Sequence, residues 1–282
     1  MATACPDQIG GMKIKGVGMT FTFDPEEHLY ALDGKPLPGV TTILKVRQKP
    51  FLAPWYAKEA IAAVKAEWSP SVPYSREEFD KMADGCKGAA DRKSRAGRET
   101  GTDIHSYIAA KLAGKPLPVV DAADVGACNA IKAFNEWAKD MKEEVLAVEL
   151  KVYSVAHWFA GTLDLLTRRA DGGYVICDFK TNKSVADDWG LQTEGYAICL
   201  EEMVEGWPKL ETDAKDGDYA RLGGKVDRKI VRLPKEPGKV KEIPASLLSR
   251  EHDRAAFLAC RTVHRWNTLH EAAYEAANGG TR

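Results

Sequence analysis

Three short β-type segments that follow one another closely constrain the fold of this chain most strongly. They cover about residues 145–153, 159–168 and 174–181. The links between them are only a few residues long, and one of them, DGG at 171–173, is a good three-residue hairpin loop. Because such short links join antiparallel neighbours, the sequence predicts a sheet built around these three strands.

The remaining segments predict helices around this sheet. Ser75 followed by Glu78 forms a capping box, which indicates the start of a helix. We predict a hairpin at 19–33, helices at 43–48, from 54, from 76, at 89–112, 121–143, 187–205 and 248–276, a strand at 225–232 and a polar insertion at 211–218.

Composition excludes several protein classes. The 282 residues are 44% hydrophobic and 29% charged, which is typical of a globular protein. The longest apolar run, Ala255–Cys260, is far shorter than the roughly 20 residues that cross a bilayer. The first 18 residues lack the pattern of a signal peptide, so we expect a cytoplasmic protein with no membrane contact. A net charge of -1 neither requires nor excludes a nucleic-acid partner.

The third β-segment places an acid and a base on the same face of the sheet. Side chains alternate along a strand, so Asp178 and Lys180 share a face. If the DGG loop closes the hairpin, Ala170 pairs with Tyr174. Asp164 then lies directly opposite Lys180 and diagonal to Asp178.

A third carboxylate joins this group. If residues 155–158 form a four-residue loop, the resulting register places Glu149 opposite Asp164. Neighbouring carboxylates repel one another unless a cation lies between them or they lie at a wet rim. An oxygen-rich site suits Mg²⁺ or Mn²⁺. A solvated face with a salt bridge from Asp164 to Lys180 explains the spacing equally well, so both alternatives stay open.

Four short motifs in a fixed order resemble a known family. They are GTDIH at 101–105, GTLD at 161–164, DFKT at 178–181 and QTEGY at 192–196. Their order and spacing resemble the RecB-like branch of the PD-(D/E)XK nuclease superfamily, over roughly residues 28–270. Flanking segments such as PGVTTIL at 38–44 resemble phage and bacterial exonuclease members.

The resemblance implies a metal centre. His105, Asp164 and Asp178, with the backbone carbonyl of Phe179, would hold a divalent metal, Mg²⁺ with Mn²⁺ able to substitute. Glu149 is assigned a supporting role in binding metal or water. We expect Asp178 to lie at an exposed rim of the cluster, so that its removal leaves the fold intact.

The resemblance also implies residues that act on the substrate. Lys180 would orient or help deprotonate the attacking water and offset the charge on the scissile phosphate. Gln192 and Tyr196, four apart on one helical face, would contact the phosphate or brace the site.

A basic run precedes the first motif. We interpret it as a wall that contacts DNA phosphates, although such a run is often only a solvated helix face; its residues are Arg92, Lys93, Arg95 and Arg98. His28 and the histidines at 157, 252, 264 and 270 are given an ordinary structural reading.

The family resemblance implies an α/β fold. We expect a restriction-endonuclease-like core, in which helices flank a central mixed sheet, with an α-rich N-terminal part. The whole chain, 1–282, would be one nuclease domain, with a hairpin and helical wall over 19–100 and the catalytic core over 101–282.

Two absences separate this chain from some relatives. Certain RecB-like nucleases bind an iron–sulfur cluster through four cysteines, one upstream of the core and three close together near the C-terminus. This pattern is missing here, so we expect no cluster. The chain has no P-loop, so any helicase or single-strand-annealing partner would be a separate protein.

Three functions follow from the resemblance. The favoured one is a metal-dependent DNA exonuclease that acts from a free end in recombination, repair or phage DNA processing. The alternatives are a non-catalytic DNA-binding or assembly module and an endonuclease on the same fold. Intact Asp164, Asp178 and Lys180 favour catalysis. If helices at 39–100 fold against the sheet, a walled groove would admit a single strand more easily than a stiff duplex.

Overall fold

The computed structural model describes residues 12–13, 19–47, 49–181, 188–206 and 226–278. The strands in these residues are β1 (Met12–Lys13), β2 (Thr20–Asp24), β3 (Leu29–Leu32), β4 (Lys35–Leu37), β5 (Glu144–Ser154), β6 (Phe159–Arg168), β7 (Tyr174–Lys180), β8 (Val226–Arg232) and β9 (Lys241–Pro244). The helices are α1 (Val40–Ile43), α2 (Leu52–Glu67), α3 (Arg76–Cys86), α4 (Ala89–Leu112), α5 (Val125–Asp140), α6 (Trp189–Gly206) and α7 (Arg250–Ala277), and a 3-10 turn, Leu44–Val46, follows α1. The polar insertion predicted at 211–218 lies outside the described residues.

The central element is a five-stranded mixed sheet. Its strand order is β5-β6-β7-β8-β9, and every neighbouring pair is antiparallel except β7 and β8, which are parallel. A second, antiparallel sheet has the order β1-β2-β3-β4. The predicted α/β fold with a mixed sheet flanked by helices is therefore confirmed.

The register of the central sheet confirms one predicted hairpin and corrects the other. Ser154 pairs with Phe159, as a four-residue loop requires. Arg168, rather than Ala170, pairs with Tyr174, so the second loop is two residues longer than predicted. The longer loop contains two hydrogen bonds. The amide of residue 169 donates to the carbonyl of 173 at 2.8 Å, and the Asp171 carboxylate accepts from the amide of 173 at 2.9 Å.

This correction changes the pairing predicted for Asp164. Leu165 pairs with Cys177, and the same register continued by one residue sets Asp164 opposite Asp178. The prediction that Asp164 lies opposite Lys180 is therefore wrong. A shift of two residues preserves the alternation of faces along a strand, which is why the two carboxylates still converge.

Helices cover both faces of the sheet at β7. Lys180 on one face bonds Gln192 of α6, whereas Phe179 on the other face packs its ring 5.8 Å and 5.9 Å from the rings of Phe134 and Trp137 of α5. α7 packs against α6, and the main core joins these helices to α1 and the small sheet. In the described part of the chain, no helix combines the length and the apolar character that crossing a membrane requires.

A buried cluster of ion pairs ties α6 to α7 and β8. Glu194 of α6, fully buried, accepts hydrogen bonds from Arg250 at 2.8 Å and Arg254 at 2.9 Å, and lies 3.2 Å from Arg228. Arg228 also bonds Asp253 at 2.9 Å. We call this group the arginine cluster; its members are Arg228, Arg250, Arg254, Glu194, Glu201 and Asp253.

The chain forms two compact units, 1–47 with 105–282 and 48–104. The smaller unit contains α2, α3 and the first part of α4. Its α3 begins with the predicted capping box, in which Ser75 and Glu78 bond each other's backbone. The interpretation of residues 1–282 as one nuclease domain stays a prediction.

Candidate metal centre

Three side chains from three elements offer ligand atoms to a common point. They are His105 of α4, Glu149 of β5 and Asp164 of β6, and one ligand atom of each lies within 4.8 Å of the other two. His105 Nδ1 lies 3.6 Å from Asp164 Oδ1. An imidazole and two carboxylates form a suitable donor set for a divalent metal such as Mn²⁺ or, through the oxygens, Mg²⁺.

The backbone of β7 fixes the orientation of Asp164. The amide N–H of Phe179 donates to Asp164 Oδ2 at 2.7 Å, which leaves Oδ1 directed towards His105. Burial alone would raise the pKa of Asp164, but the charge and hydrogen bond of His105 lower it overall. Burial would likewise lower the pKa of His105, but Asp164 raises it to about 9. Without a metal, the two groups therefore stabilise each other as an ion pair.

Glu149 occupies an unusual backbone position in the middle of β5. Its φ is 52°, in the left-handed region that non-glycine residues adopt at a cost of about 1–3 kcal/mol. Burial, with the charge of Asp164, raises the pKa of Glu149 to about 7. A strained carboxylate that resists ionisation indicates a position where a cation is needed for the ionised form to be stable.

The remaining predicted residues form a hydrogen-bonded chain beside this group. Lys180 Nζ lies 2.5 Å from Asp178 Oδ2 and donates to Gln192 Oε1 at 3.0 Å. Gln192 Nε2 in turn donates to the hydroxyl of Tyr196 at 2.9 Å. The structure thus pairs Lys180 with Asp178, its neighbour on the same strand, whereas the sequence suggested Asp164.

The expected exposed position of Asp178 is wrong. Its exposure is only 1%, because α6 covers this face of β7. Burial, with a contribution from Asp164, raises the pKa of Asp178 to about 6, although Lys180 acts in the opposite direction. Asp178 is therefore a buried carboxylate held beside a lysine, and its substitution will affect stability as well as chemistry.

A close contact joins the GTLD and QTEGY motifs. A Cβ atom at Gly161 would lie 2.6 Å from Cε1 of Tyr196, so a side chain there would displace the tyrosine ring. Gly161 of the GTLD motif thus leaves the space that Tyr196 of the QTEGY motif occupies.

The family comparison agrees with this geometry. Residues 108–279, more than half of the chain, match the model of the PD-(D/E)XK nuclease superfamily. The chain belongs to the PD-(D/E)XK nuclease superfamily. The match includes Glu149, Asp164, Asp178 and Lys180 and begins three residues after His105. The search of curated proteins gives no match.

Membership in the PD-(D/E)XK superfamily defines the general chemistry. Its nucleases use divalent metal ions, and DNA is the implied substrate. The group of His105, Glu149 and Asp164 fits such an ion by the number and type of its donor atoms. The roles of these residues in this nuclease stay predictions.

Two residues near the centre of this PD-(D/E)XK nuclease were missed in the sequence. The buried Tyr30 of β3 places its hydroxyl 2.9 Å from Thr162 Oγ1, and burial raises the pKa of Tyr30 to about 12. Thr162 lies two residues before Asp164, so the motif itself could have indicated it. Tyr30 is 132 residues away from Thr162 in the chain, and no local pattern connects the two.

The predicted DNA-contacting residues of this nuclease lie on α4 within the smaller unit. All four side chains are exposed. Lys93 bonds Glu59 at 2.8 Å, Arg92 bonds the carbonyl of Gly85, and Arg98 bonds Ser94. Arg95 lies on the same helix. Their contact with DNA stays a prediction.

Proposed function

We propose that this nuclease is a DNA exonuclease of the RecB-like, phage or bacterial type, which hydrolyses phosphodiester bonds from a free end. The observation that carries the proposal is the convergence of His105, Glu149 and Asp164 beside the paired Asp178 and Lys180. This arrangement brings together a set of metal ligands and a cation for the phosphate. The intact set argues against a non-catalytic module, and the four-motif resemblance supports the exonuclease type.

The resemblance implies that His105, Asp164 and Asp178 hold the metal with the carbonyl of Phe179 and that Glu149 supports it. The group whose ligand atoms converge contains Glu149 with His105 and Asp164, while Asp178 lies beside it, paired with Lys180. A bound Mg²⁺ or Mn²⁺ supplies positive charge against the scissile phosphate and lowers the pKa of water. The ligands must lose protons to bind it, and the raised pKa values of His105 and Glu149 make that release large.

Lys180 would act as a positively charged group. Burial would lower its pKa, but Asp178 and Asp164 raise it, so the ammonium is protonated at neutral pH. A protonated lysine cannot accept a proton from water. Lys180 would therefore orient the water and offset the charge of the phosphate rather than deprotonate the water directly. Gln192, bonded to both Lys180 and Tyr196, would hold the ammonium in place.

The decisive experiment compares two forms of one DNA sequence. We expect the protein to degrade linear single-stranded DNA progressively in Mg²⁺, while a covalently closed single-stranded circle persists and EDTA stops the reaction. Equal rates on both forms would make the protein an endonuclease. No cleavage of either form in Mg²⁺ or Mn²⁺ would support the non-catalytic alternative.

The basic run on α4 is proposed to contact DNA phosphates. Substitution of Arg92, Lys93 and Arg95 together by Ala should reduce the log–log salt slope of DNA affinity by about one unit per lost contact, whatever the sequence. Arg76→Ala, an exposed change on α3, should leave the slope unchanged. An unchanged slope in the triple variant would return this run to a solvated helix face.

The wider setting is proposed from the resemblance alone. The protein would act in the cytoplasm of a bacterial or phage-infected cell, in recombination, repair or phage DNA processing. A helicase or single-strand-annealing protein would supply or use the processed strand. We expect cleavage to need no iron–sulfur cluster.

A further inference from the structure

The hairpin of β2 and β3 carries a cluster of three aromatic rings. Phe23 and Tyr30 are directly paired across the hairpin, and their ring centroids are 5.0 Å apart. His28 has a left-handed backbone with φ 54°, and its ring lies edge-on, 5.1 Å from Phe23 and 5.5 Å from Tyr30. The three rings therefore pack as one contiguous cluster, in which His28 is exposed and Tyr30 is buried.

This aromatic cluster is joined to the strand that carries Asp164. The hydroxyl of Tyr30 lies 3.0 Å from Nε2 of His28 and 2.9 Å from Oγ1 of Thr162. Thr162 precedes Asp164 by two residues in β6. A single hydrogen-bonded path thus leads from His28, on the surface, to the strand segment that supplies a proposed metal ligand.

A lysine completes the surface. Lys151 is paired with Thr162 across β5 and β6, and it lies two residues after Glu149. Its Nζ is 5.1 Å from the centroid of Phe23 and donates to the carbonyl of Glu149 at 2.9 Å. Since an ammonium has three donors, this bond leaves others available for a phosphate. Two residues along a strand correspond to about 7 Å, so the cation lies close to the metal group.

The exposure of these groups suits a ligand that has both a flat face and a negative charge. His28 is exposed, whereas Tyr30 is buried and braces it from below. Burial of part of the ring, with the charge of Lys151, lowers the pKa of His28, so the imidazole is neutral at pH 7 and suited to stacking. A nucleotide of a single strand offers a base to an aromatic ring and a phosphate to a lysine.

We infer that His28 and Lys151 form a nucleotide-binding subsite beside the metal group, in which the imidazole stacks on one base and the ammonium contacts its phosphate. This inference rests on the proposed function, because it assumes that a DNA strand passes the metal group. It gives His28 a role in holding the nucleotide next to the scissile bond, and it replaces the structural reading of His28 made from the sequence.

The test measures binding of the full chain, without divalent metal, to a labelled single strand of about 12 thymidines. A second set of strands carries one abasic position, moved stepwise from each end. His28→Ala should weaken binding about tenfold on the intact strand, since stacking of one base accounts for such a factor. At one abasic position, the affinity of the wild-type protein should fall by the same factor, because the stacked base is missing there. The affinity of His28→Ala should not fall further at that position.

Matched variants separate this subsite from general effects. His28→Phe should keep the affinity, because it keeps a stacking surface, and His252→Ala, an exposed change on α7, should bind as wild type does. Lys151→Ala should lower the salt slope by about one unit, whereas Lys241→Ala, on the strand at the opposite edge of the same sheet, should not. Circular dichroism melts confirm that each variant is folded.

Two results would overturn the subsite. One is wild-type affinity in folded His28→Ala, and the other is an equal loss in that variant at every abasic position. The cleavage assay is independent of this measurement. Absence of cleavage together with a position-specific His28 effect would reject the exonuclease and leave the subsite, and the opposite pair of results would reject the subsite alone.

Discussion

The candidate metal centre and the arginine cluster contain the same number of carboxylates but differ in how many positive charges neutralise them. The arginine cluster sets three carboxylates against three guanidinium groups, and each charge has a partner of opposite sign. At the metal centre, Glu149, Asp164 and Asp178 face Lys180, which pairs with Asp178, and the ionisable His105, while Lys151 donates to the backbone carbonyl of Glu149 rather than to a carboxylate. Both regions lie next to α6. Gln192 of α6 bonds Lys180 at the metal centre, and Glu194 of α6 belongs to the arginine cluster.

This difference separates a structural ion network from a site for a ligand. A balanced buried network gains nothing from a further ion, and removal of one partner leaves charges buried without compensation. Burial, together with neighbouring negative charge, instead raises a carboxylate pKa, as it does for Glu149, and a divalent cation relieves the repulsion. Substitutions in the two regions should therefore have opposite effects on stability.

The largest effect is expected from Asp164→Asn. The change keeps the shape of the side chain but removes a ligand charge, so cleavage in Mg²⁺ should fall at least about a thousandfold. End-labelled single-stranded DNA measures the rate, and Glu275→Gln on the exposed end of α7 is the control. Cleavage within a few-fold of wild type would contradict the proposed metal centre.

Glu194→Gln should break the balanced region. Three guanidinium groups would lose a shared, fully buried carboxylate, and the free energy of unfolding should fall by about 3–5 kcal/mol. Urea denaturation gives the value, and Glu275→Gln should lie within about 0.5 kcal/mol of wild type. If Glu194→Gln is as stable as wild type, the cluster is not the compensated structural network described here.

Glu149→Gln should change the free energy of unfolding in the opposite direction, so that the variant is more stable than wild type. The folded pKa of about 7 lies above the ordinary value of 4.5, so the stability that the protonated carboxyl contributes is complete below pH 4.5 and is lost as the pH rises through 7. Without metal, the variant should exceed wild type by about 1–3 kcal/mol at pH 8 and match it near pH 4. Thermal melts in EDTA test this, and a variant less stable than wild type at pH 8 would contradict it.

The smallest effect is expected from Tyr196→Phe. The change removes the hydroxyl that accepts a hydrogen bond from Gln192, which should cost about 1 kcal/mol of stability. Because Gln192 also holds Lys180, the single-turnover cleavage rate should fall about tenfold. A loss of stability without a loss of rate would show that Tyr196 braces the fold only.

The sequence was sufficient for the parts of the site that local patterns control. Alternation placed Asp178 and Lys180 on one face of β7, helical spacing placed Gln192 near Tyr196, and the α4 boundaries were predicted as observed, 89–112. These features depend on residues close in the chain. Their geometry follows from the repeat of a strand or helix alone.

The sequence failed where loops and distant segments decide the geometry. The loop before Tyr174 is two residues longer than predicted and contains a hydrogen bond to the Asp171 carboxylate. The register, continued by one residue from Leu165 and Cys177, sets Asp164 opposite Asp178 instead of Lys180. Strand β9 and the burial of Asp178 were also missed. The arginine cluster joins α6, β8 and α7, and no local pattern indicates contacts over 25–60 residues.

Phe179 connects the chemistry on one face of the sheet to the packing on the other. Its amide orients Asp164, while its ring is enclosed by Phe134 and Trp137 of α5. The side chain at the middle position of the D-x-K motif is therefore restricted by α5 and by the ring of His105, whose centroid lies 6.3 Å from that of Phe179. Because one residue carries both contacts, we expect changes in α5 to reach the metal centre through the backbone of Phe179 without changing any ligand.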